Sequence, residues 1–139
     1  MAGYTRRMKM VGVDYGSKRV GVAVSDDAGR IAFPKMTLPN NRALLADLVA
    51  FIKKEGAVAV VLGESRSLVG GENPIMADIR RFAAELSEAS QVPVHFEPEL
   101  FSSVEARTLS GKEGAVDAGA AAIILQSYLA KHNTYDDFA

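Results

Sequence analysis

KMVGVDYGSKRVGVAVSD, residues 9–26, is the stretch from which the fold is predicted. Two runs of apolar, largely β-branched residues flank a short turn at Gly16, which predicts two antiparallel strands. A second turn at 27–29 leads into residues 31–38. Pro34 suits the edge of a sheet, because proline cannot donate a hydrogen bond to a neighbouring strand. The three segments therefore predict an antiparallel meander.

Beyond the meander, helical and strand patterns alternate. Residues 44–52 are apolar at helical spacing after a helix start at 39–41, whereas residues 57–62 are nearly all apolar, as in a strand covered on both faces. The remaining predicted segments are a helix over 74–86, a strand over 92–97, a short helix from Ser102 or Ser103, and a helix over 116–132. This order predicts an α/β fold, a mixed five-stranded sheet with helices on both faces.

Composition indicates one ordinary globular domain, which we assign to residues 8–132, with flexible tails at 1–7 and 133–139. The 139 residues are 48% hydrophobic and 24% charged. Cysteine is absent, which excludes disulfides, thiolate metal sites and cysteine nucleophiles. Without a secretory signal or an apolar run of membrane-spanning length, we expect a cytoplasmic protein with no membrane partner.

The formal net charge of −1 bears on possible nucleic-acid partners. A stand-alone DNA- or RNA-binding module usually has a basic excess, since phosphate neutralisation supplies most of its affinity. A metal-dependent nuclease needs less of that excess, because its cations neutralise part of the substrate charge. The charge therefore argues against tight non-specific binding and leaves a nuclease open.

Four acidic residues follow predicted strands, at what becomes one sheet edge if those strands are parallel. Asp14 ends the first strand, Glu64 follows the fourth, and Glu97 and Glu99 end the fifth. Singly, Asp14 can be a turn residue that accepts hydrogen bonds from nearby amides, and the others solvated charges. Together they favour a site for a hard divalent cation such as Mg²⁺, because like charges repel unless a cation binds between them.

Asp117 stands near the start of the last predicted helix. Its ordinary interpretation is stabilisation of the helix dipole. The small residues at 119–122, GAAA, predict that this helix packs very close to the sheet. Such packing would bring Asp117 beside the strand ends and make it a candidate metal ligand.

The histidines, the glycine-rich segments and the basic residues indicate less about function than the acidic residues do. His95 and His132 are far apart in sequence and indicate neither a histidine pair nor a nucleophilic triad. The glycine-rich segments match neither a P-loop nor a dinucleotide fingerprint. Lys18, Arg19 and Arg66 are candidates for contacts with nucleic-acid phosphates near the acidic edge.

Four motifs in order resemble the YqgF/RuvX family, which has a ribonuclease H-like fold and is related to Holliday-junction resolvases. GVDYGSKRVGVAVSD at 12–26 resembles its signature, and residues 63–74 keep its glycine and proline spacing. EPELFSSVEA at 97–106 resembles its acidic strand end, and VDAGAAAIILQSYL at 116–129 its C-terminal helix. The resemblance covers nearly all of residues 9–129.

The resemblance implies that Asp14, Glu99 and Asp117 bind Mg²⁺, or Mn²⁺, as catalytic carboxylates. The family's Asp-Glu-Arg reads Pro-Glu-Leu at 98–100 here, so Glu97 is an alternative to Glu99. Its Gly-Leu-Pro reads Gly-Glu-Ser at 63–65, which makes Glu64 a replacement or supplementary ligand. The family's basic loop before the last helix is shortened to SGKEGA.

The implied activity is phosphodiester hydrolysis in maturation of the 5′ end of pre-16S ribosomal RNA. One alternative is resolution of branched DNA as a Holliday-junction resolvase; another is a catalytically weak, RNA-binding ribosome-assembly factor. Sugar-kinase and actin-like ATPases share the fold, but they enclose nucleotide between two such domains, and 139 residues provide one. The chain is expected to be a monomer or a homodimer.

Overall fold

The computed structural model describes residues 8–64, 74–98 and 113–136. Its elements in chain order are β1 (Met10–Tyr15), β2 (Arg19–Ser25), β3 (Ala32–Pro39), α1 (Leu44–Glu55), β4 (Ala59–Glu64), α2 (Pro74–Ser90), β5 (Val94–Pro98) and α3 (Glu113–Asp136). The predicted short helix at Ser102 or Ser103 lies outside the described residues, as do Glu99 and Arg66.

The five strands form one mixed sheet in the order β3-β2-β1-β4-β5. β1, β2 and β3 are antiparallel neighbours, whereas β4 is parallel to both β1 and β5. The predicted meander and mixed sheet are confirmed, and β3 is an edge strand. The register of β3 shifts opposite Val22 and Ala23, where Pro34 pairs with Ala23 and Met36 with Val22, so that Lys35 is the extra residue of a bulge.

Helices cover both faces of the sheet, as predicted. One core cluster combines side chains of α1 and α2 with the side of β1 that carries Val11 and Val13. The second cluster joins α3, through Ile124 and Leu125, to the opposite side. Side chains alternate between faces along a strand, so Gly12 and Asp14 of β1 belong to the α3 side. Within the described ranges no helix is both long enough and apolar enough to cross a membrane.

Two helix boundaries differ from the predicted ones. α1 begins at Leu44 rather than at 39–41, because Asn41 Oδ1 accepts a hydrogen bond from the Ala43 amide at 2.9 Å in a turn before the helix. α3 continues to Asp136, four residues past the predicted end of the helix at His132. The helix therefore includes residues 133–136 of the segment that was predicted to be a flexible tail.

Candidate metal centre

The carboxyl edge of the sheet, where β1, β4 and β5 end, carries the predicted acidic residues Asp14, Glu64 and Glu97. Val13 pairs with Leu62, and Gly63, the residue after Leu62, pairs with Glu97. Asp14, the residue after Val13, therefore stands level with Gly63 and Glu97 across the sheet. This register results from the parallel pairing of three strands that end together.

Gly21 brings α3 down onto this edge. It pairs with Asp14 across the β1–β2 ladder, and a Cβ built on it would lie 1.8 Å from the main-chain oxygen of Asp117. A Cβ on Gly12 would lie 2.7 Å from Cβ of Leu125, further along the helix. Two glycines thus let the helix lie almost on the strands, and Asp117 is held next to the cross-strand partner of Asp14.

The small-residue segment of α3 is the matching surface on the helix. Ala118, Ala120 and Ala121 are buried, which confirms the predicted close packing of the helix on the sheet. Gly119 has a different position, since a Cβ built there would meet nothing within 4 Å. The alanines therefore make the contact, and Gly119 is not required for it.

Asp117 is a buried carboxylate with a cationic neighbour. Only 8% of the residue is exposed, and its Oδ2 accepts a hydrogen bond from Arg19 Nε at 2.7 Å. Arg19 begins β2 two residues before Gly21, so alternation places both on the α3 side. The pair offsets the cost of burying the Asp117 charge. Arg19, predicted from sequence to contact phosphate, therefore lies inside the acidic site.

The carboxylate of Glu97 is hydrogen-bonded to two side chains of α3. The residue is 2% exposed, and its Oε2 accepts hydrogen bonds from Ser127 Oγ at 2.7 Å and from Lys131 Nζ at 2.5 Å. Burial and the negative charge of Glu97 together raise the pKa of Tyr128. These contacts give the Glu97 carboxylate structural partners on α3.

Glu64 ends β4 at the carboxyl edge and is half-buried. Leu62 belongs to the core cluster on the α1 and α2 side, and alternation along β4 puts Glu64 on that same side. Asp14 belongs to the α3 side. The strand backbone therefore brings Glu64 to the same edge as Asp14 and Asp117 without placing all three on one face.

The β1–β2 turn presents Lys18 to solvent at the same edge. Asn40, just after β3, supports this turn: its Nδ2 donates to the Gly16 oxygen at 2.7 Å and its amide donates to the Lys18 oxygen at 2.9 Å. Sequence reasoning missed Asn40, which it assigned to a helix start. Its place directly after an edge strand, beside Pro39, was the available signal.

The two histidines lie in one aromatic cluster. Although far apart in the chain, His95 and His132 both stack on Tyr128, with ring centroids 5.5 and 4.1 Å from it. An aromatic ring thus brings the two imidazoles into one cluster.

The described part of the chain contains no group of three acidic or histidine side chains arranged to enclose a metal ion. It does contain two carboxylates at one edge, since Asp14 pairs with Gly21 and the main chain of Asp117 lies over Gly21, and their oxygens suit a hard divalent cation. Glu99 follows Pro98, the last residue of β5, in the sequence and lies outside the described residues. The donor chemistry of Asp14 and Asp117 fits Mg²⁺ or Mn²⁺.

Known relatives cover most of the chain. A protein of Nitratidesulfovibrio vulgaris (strain DP4), named as a candidate pre-16S rRNA nuclease, is 39% identical over 134 residues, which are 88% of this chain and 94% of the relative. A protein of Oleidesulfovibrio alaskensis with the same name is 36% identical over 132 residues, covering 88% and 92%.

Solved resolvase structures share the fold. RuvC of Thermus thermophilus superposes with a TM-score of 0.58 at 14% identity, covering 91% of this chain and 98% of that one. Fowlpox virus resolvase, in complex with Holliday junction DNA, superposes with a TM-score of 0.59 at 13% identity, covering 89% and 98%. The predicted ribonuclease H-like fold is confirmed. Residues 8–131 match the RuvX family, described as Holliday junction resolvase, and the chain therefore belongs to this family of nucleases.

Proposed function

We propose that this protein is a cytoplasmic, divalent-metal-dependent nuclease that cleaves phosphodiester bonds of structured RNA in the 5′-end maturation of pre-16S ribosomal RNA. The observation that carries the proposal is the convergence of Asp14 and Asp117 through Gly21, whose missing Cβ lets α3 approach the end of β1. The pre-16S substrate is supported by the names of the relatives.

In the proposed site, Asp14, Asp117 and Glu99 hold Mg²⁺ or Mn²⁺, with Glu64 as a supplementary acidic group at the same edge. Divalent cations supply Lewis acidity and charge neutralisation at a scissile phosphodiester. The protein contributes fixed oxygen ligands: Asp14 from a rigid central strand, and Asp117 from a helix packed on that strand. Placing ligands on rigid elements limits the reorganisation that catalysis requires.

The cations at the edge have a separate task. The substrate backbone is contacted by three basic residues: Lys18 on the turn, Arg19 at the start of β2 and Arg66 in the segment after β4. Such contacts position a nucleic acid and supply affinity without reading its sequence. Asn40 helps by holding the turn that carries Lys18.

A second candidate substrate is a four-way DNA junction, favoured by the resolvase description of the matched family. The experiment that separates the substrates is cleavage of labelled pre-16S RNA fragments and of a labelled four-way junction, with Mg²⁺, with Mn²⁺ and with EDTA. We expect cutting of the RNA with either metal ion and none with EDTA.

The variants for this assay are Asp14→Asn and Asp78→Asn. The second makes the same chemical change at an exposed residue of α2, whose carboxylate pairs with Arg81 of the same helix at 3.1 Å, so it serves as the matched control. We expect Asp14→Asn to abolish cutting and Asp78→Asn to retain it. Cutting that survives Asp14→Asn would contradict the site. Well-folded protein that binds RNA and cuts neither substrate would favour an assembly factor.

A further inference from the structure

Arg19 occupies an unexpected place for a residue that contacts substrate. Its Nε bonds the Oδ2 atom of Asp117, a carboxylate proposed to hold a divalent cation, at 2.7 Å. The side chain of Asp117 is 12% exposed, whereas that of Arg19 is 39% exposed. The carboxylate is thus enclosed, and the guanidinium that neutralises it lies at the boundary with solvent.

Asp117 does not depend on Arg19 for its position. The main-chain oxygen of Asp117 fills the space over Gly21, and the buried Ala118 and Ala120 fix the same turns of α3 against the sheet. Loss of the Arg19 side chain would therefore leave the Asp117 backbone in place. What Arg19 adds to Asp117 is a positive charge and a hydrogen bond, both directed at an oxygen that a divalent cation would also use.

We propose that Arg19 is a built-in competitor for the metal site, and that it exchanges Asp117 for a phosphate of the substrate when a divalent cation binds. This inference rests on the proposed function, in which Arg19 contacts the substrate backbone. The exchange keeps Arg19 paired with an anion throughout, first a carboxylate and then a phosphate. It also couples substrate binding to metal binding, since Arg19 faces the substrate only after it leaves Asp117.

Charge repulsion gives the direction of the effect on metal affinity. A guanidinium within about 6 Å of a doubly charged cation weakens its binding roughly tenfold, even at the dielectric constant of water. Arginine also suits the second partner, because its planar donors match two phosphate oxygens at once. The exposed Lys18, one residue earlier, is the natural comparison, because it carries the same charge on the turn.

The first test is the affinity for Mn²⁺, measured by titration calorimetry and by electron paramagnetic resonance on wild type and on Arg19→Gln, Arg19→Lys and Lys18→Gln. Arg19→Gln should tighten Mn²⁺ binding about tenfold, because it removes the competing charge. Arg19→Lys, which keeps the charge, should stay near the wild-type affinity. Lys18→Gln should change the affinity less than about twofold, because its charge is screened by solvent. Urea unfolding checks that each variant is folded.

Two results overturn the inference, and they are distinguishable from failure of the proposed function. If wild type binds Mn²⁺ in a way that Asp14→Asn abolishes, yet Arg19→Gln leaves the affinity unchanged or weakens it, Arg19 is not a competitor. If wild type shows no Mn²⁺ binding that depends on Asp14, the proposed metal site is wrong, and the competitor role falls with it.

The second test detects the exchange itself through the salt dependence of RNA binding. Binding of a labelled RNA hairpin is measured over a series of salt concentrations, once in EDTA and once in saturating Ca²⁺. With Ca²⁺, Arg19→Gln should make the negative slope of log K against log salt less steep by about 0.8, because one phosphate contact is lost. In EDTA the slopes of the two proteins should agree. Equal loss of slope in both conditions would contradict the exchange.

Discussion

Asp14 lies directly opposite Gly21 in the antiparallel pair of β1 and β2. The space above Gly21 is filled by the main-chain oxygen of Asp117, 1.8 Å from where a Cβ would be. One glycine therefore sets how closely the two proposed metal ligands approach each other, although its own side chain takes no part in the chemistry.

Gly21→Ala should force α3 away from the sheet. An added methyl group has no room beside backbone atoms, so we expect a loss of about 3 kcal/mol in the free energy of unfolding, together with loss of Asp14-dependent Mn²⁺ binding. Gly119→Ala is the matched control, because its Cβ meets nothing. It should stabilise the helix by about 0.5–1 kcal/mol. Urea unfolding measures both, and equal effects of the two substitutions would contradict the packing.

Comparison of Glu97→Gln with Glu99→Gln should distinguish a carboxylate that stabilises the fold from one that is needed for cleavage. Glu97→Gln loses the ion pair with Lys131 and keeps an acceptor for Ser127, so we expect it to cost about 1–2 kcal/mol of stability and to retain metal-dependent cleavage. Glu99→Gln should remain folded and lose cleavage. The two variants are compared by urea unfolding and by initial cleavage rates. Loss of cleavage in folded Glu97→Gln alone would reverse the assignment.

Asn40→Ala should loosen the turn that carries Lys18. The Gly16 oxygen loses the side-chain donor of Asn40, which costs about 1 kcal/mol, and RNA affinity should fall because Lys18 is less well positioned. Asn41→Ala is the control, since Asn41 Oδ1 accepts a hydrogen bond from the Ala43 amide, before α1 and not in the turn that carries Lys18. It should lower stability similarly and leave RNA affinity unchanged. Calorimetric unfolding and hairpin binding test this pair.

Because of Asp26, the free energy of unfolding should depend on pH in the acid range. The backbone amide of Arg30, at 2.8 Å, and then that of Ile31, at 3.2 Å, hold the pKa of Asp26 below its ordinary value of 3.8. A depressed pKa in the folded state means that the carboxylate contributes stability above pH 3.8, and that this contribution is lost as the pH falls through the lower, folded value.

Asp26→Asn should therefore be less stable than wild type at pH 7, and the difference should shrink as the pH is lowered toward 3. Urea unfolding of wild type and Asp26→Asn at several pH values measures it. A difference that stays constant with pH would show that the charge of Asp26 is not responsible.

Much of the fold could be predicted from local patterns. Local patterns indicate an antiparallel meander from the apolar strands at the N-terminus, an edge strand from the proline of β3 and a closely packed helix from the alanines of α3, and each is confirmed. These features depend on residue spacing, which a sequence displays directly. The assignment of Asp14, Asp117 and Glu99 as metal ligands came from the same spacing and from family resemblance, and it remains a prediction.

Contacts between distant side chains could not be predicted in this way. The pairing of Arg19 with Asp117, and that of Glu97 with Lys131, depend on the angle at which α3 crosses the sheet. Helix ends were also misplaced: Asn40 bonds the β1–β2 turn from another part of the chain, which no local pattern reveals. Tertiary partners decide these features, so they become visible only when the strands and helices are assembled.

The central claim is that Asp14 and Asp117 bind the same divalent cation centre. The most direct measurement is a crystal structure of the protein soaked in Mn²⁺, with diffraction data collected near the manganese absorption edge. The claim predicts an anomalous peak coordinated by carboxylate oxygens of both residues. A fully occupied Mn²⁺ elsewhere on the protein, with no peak between Asp14 and Asp117, would contradict it.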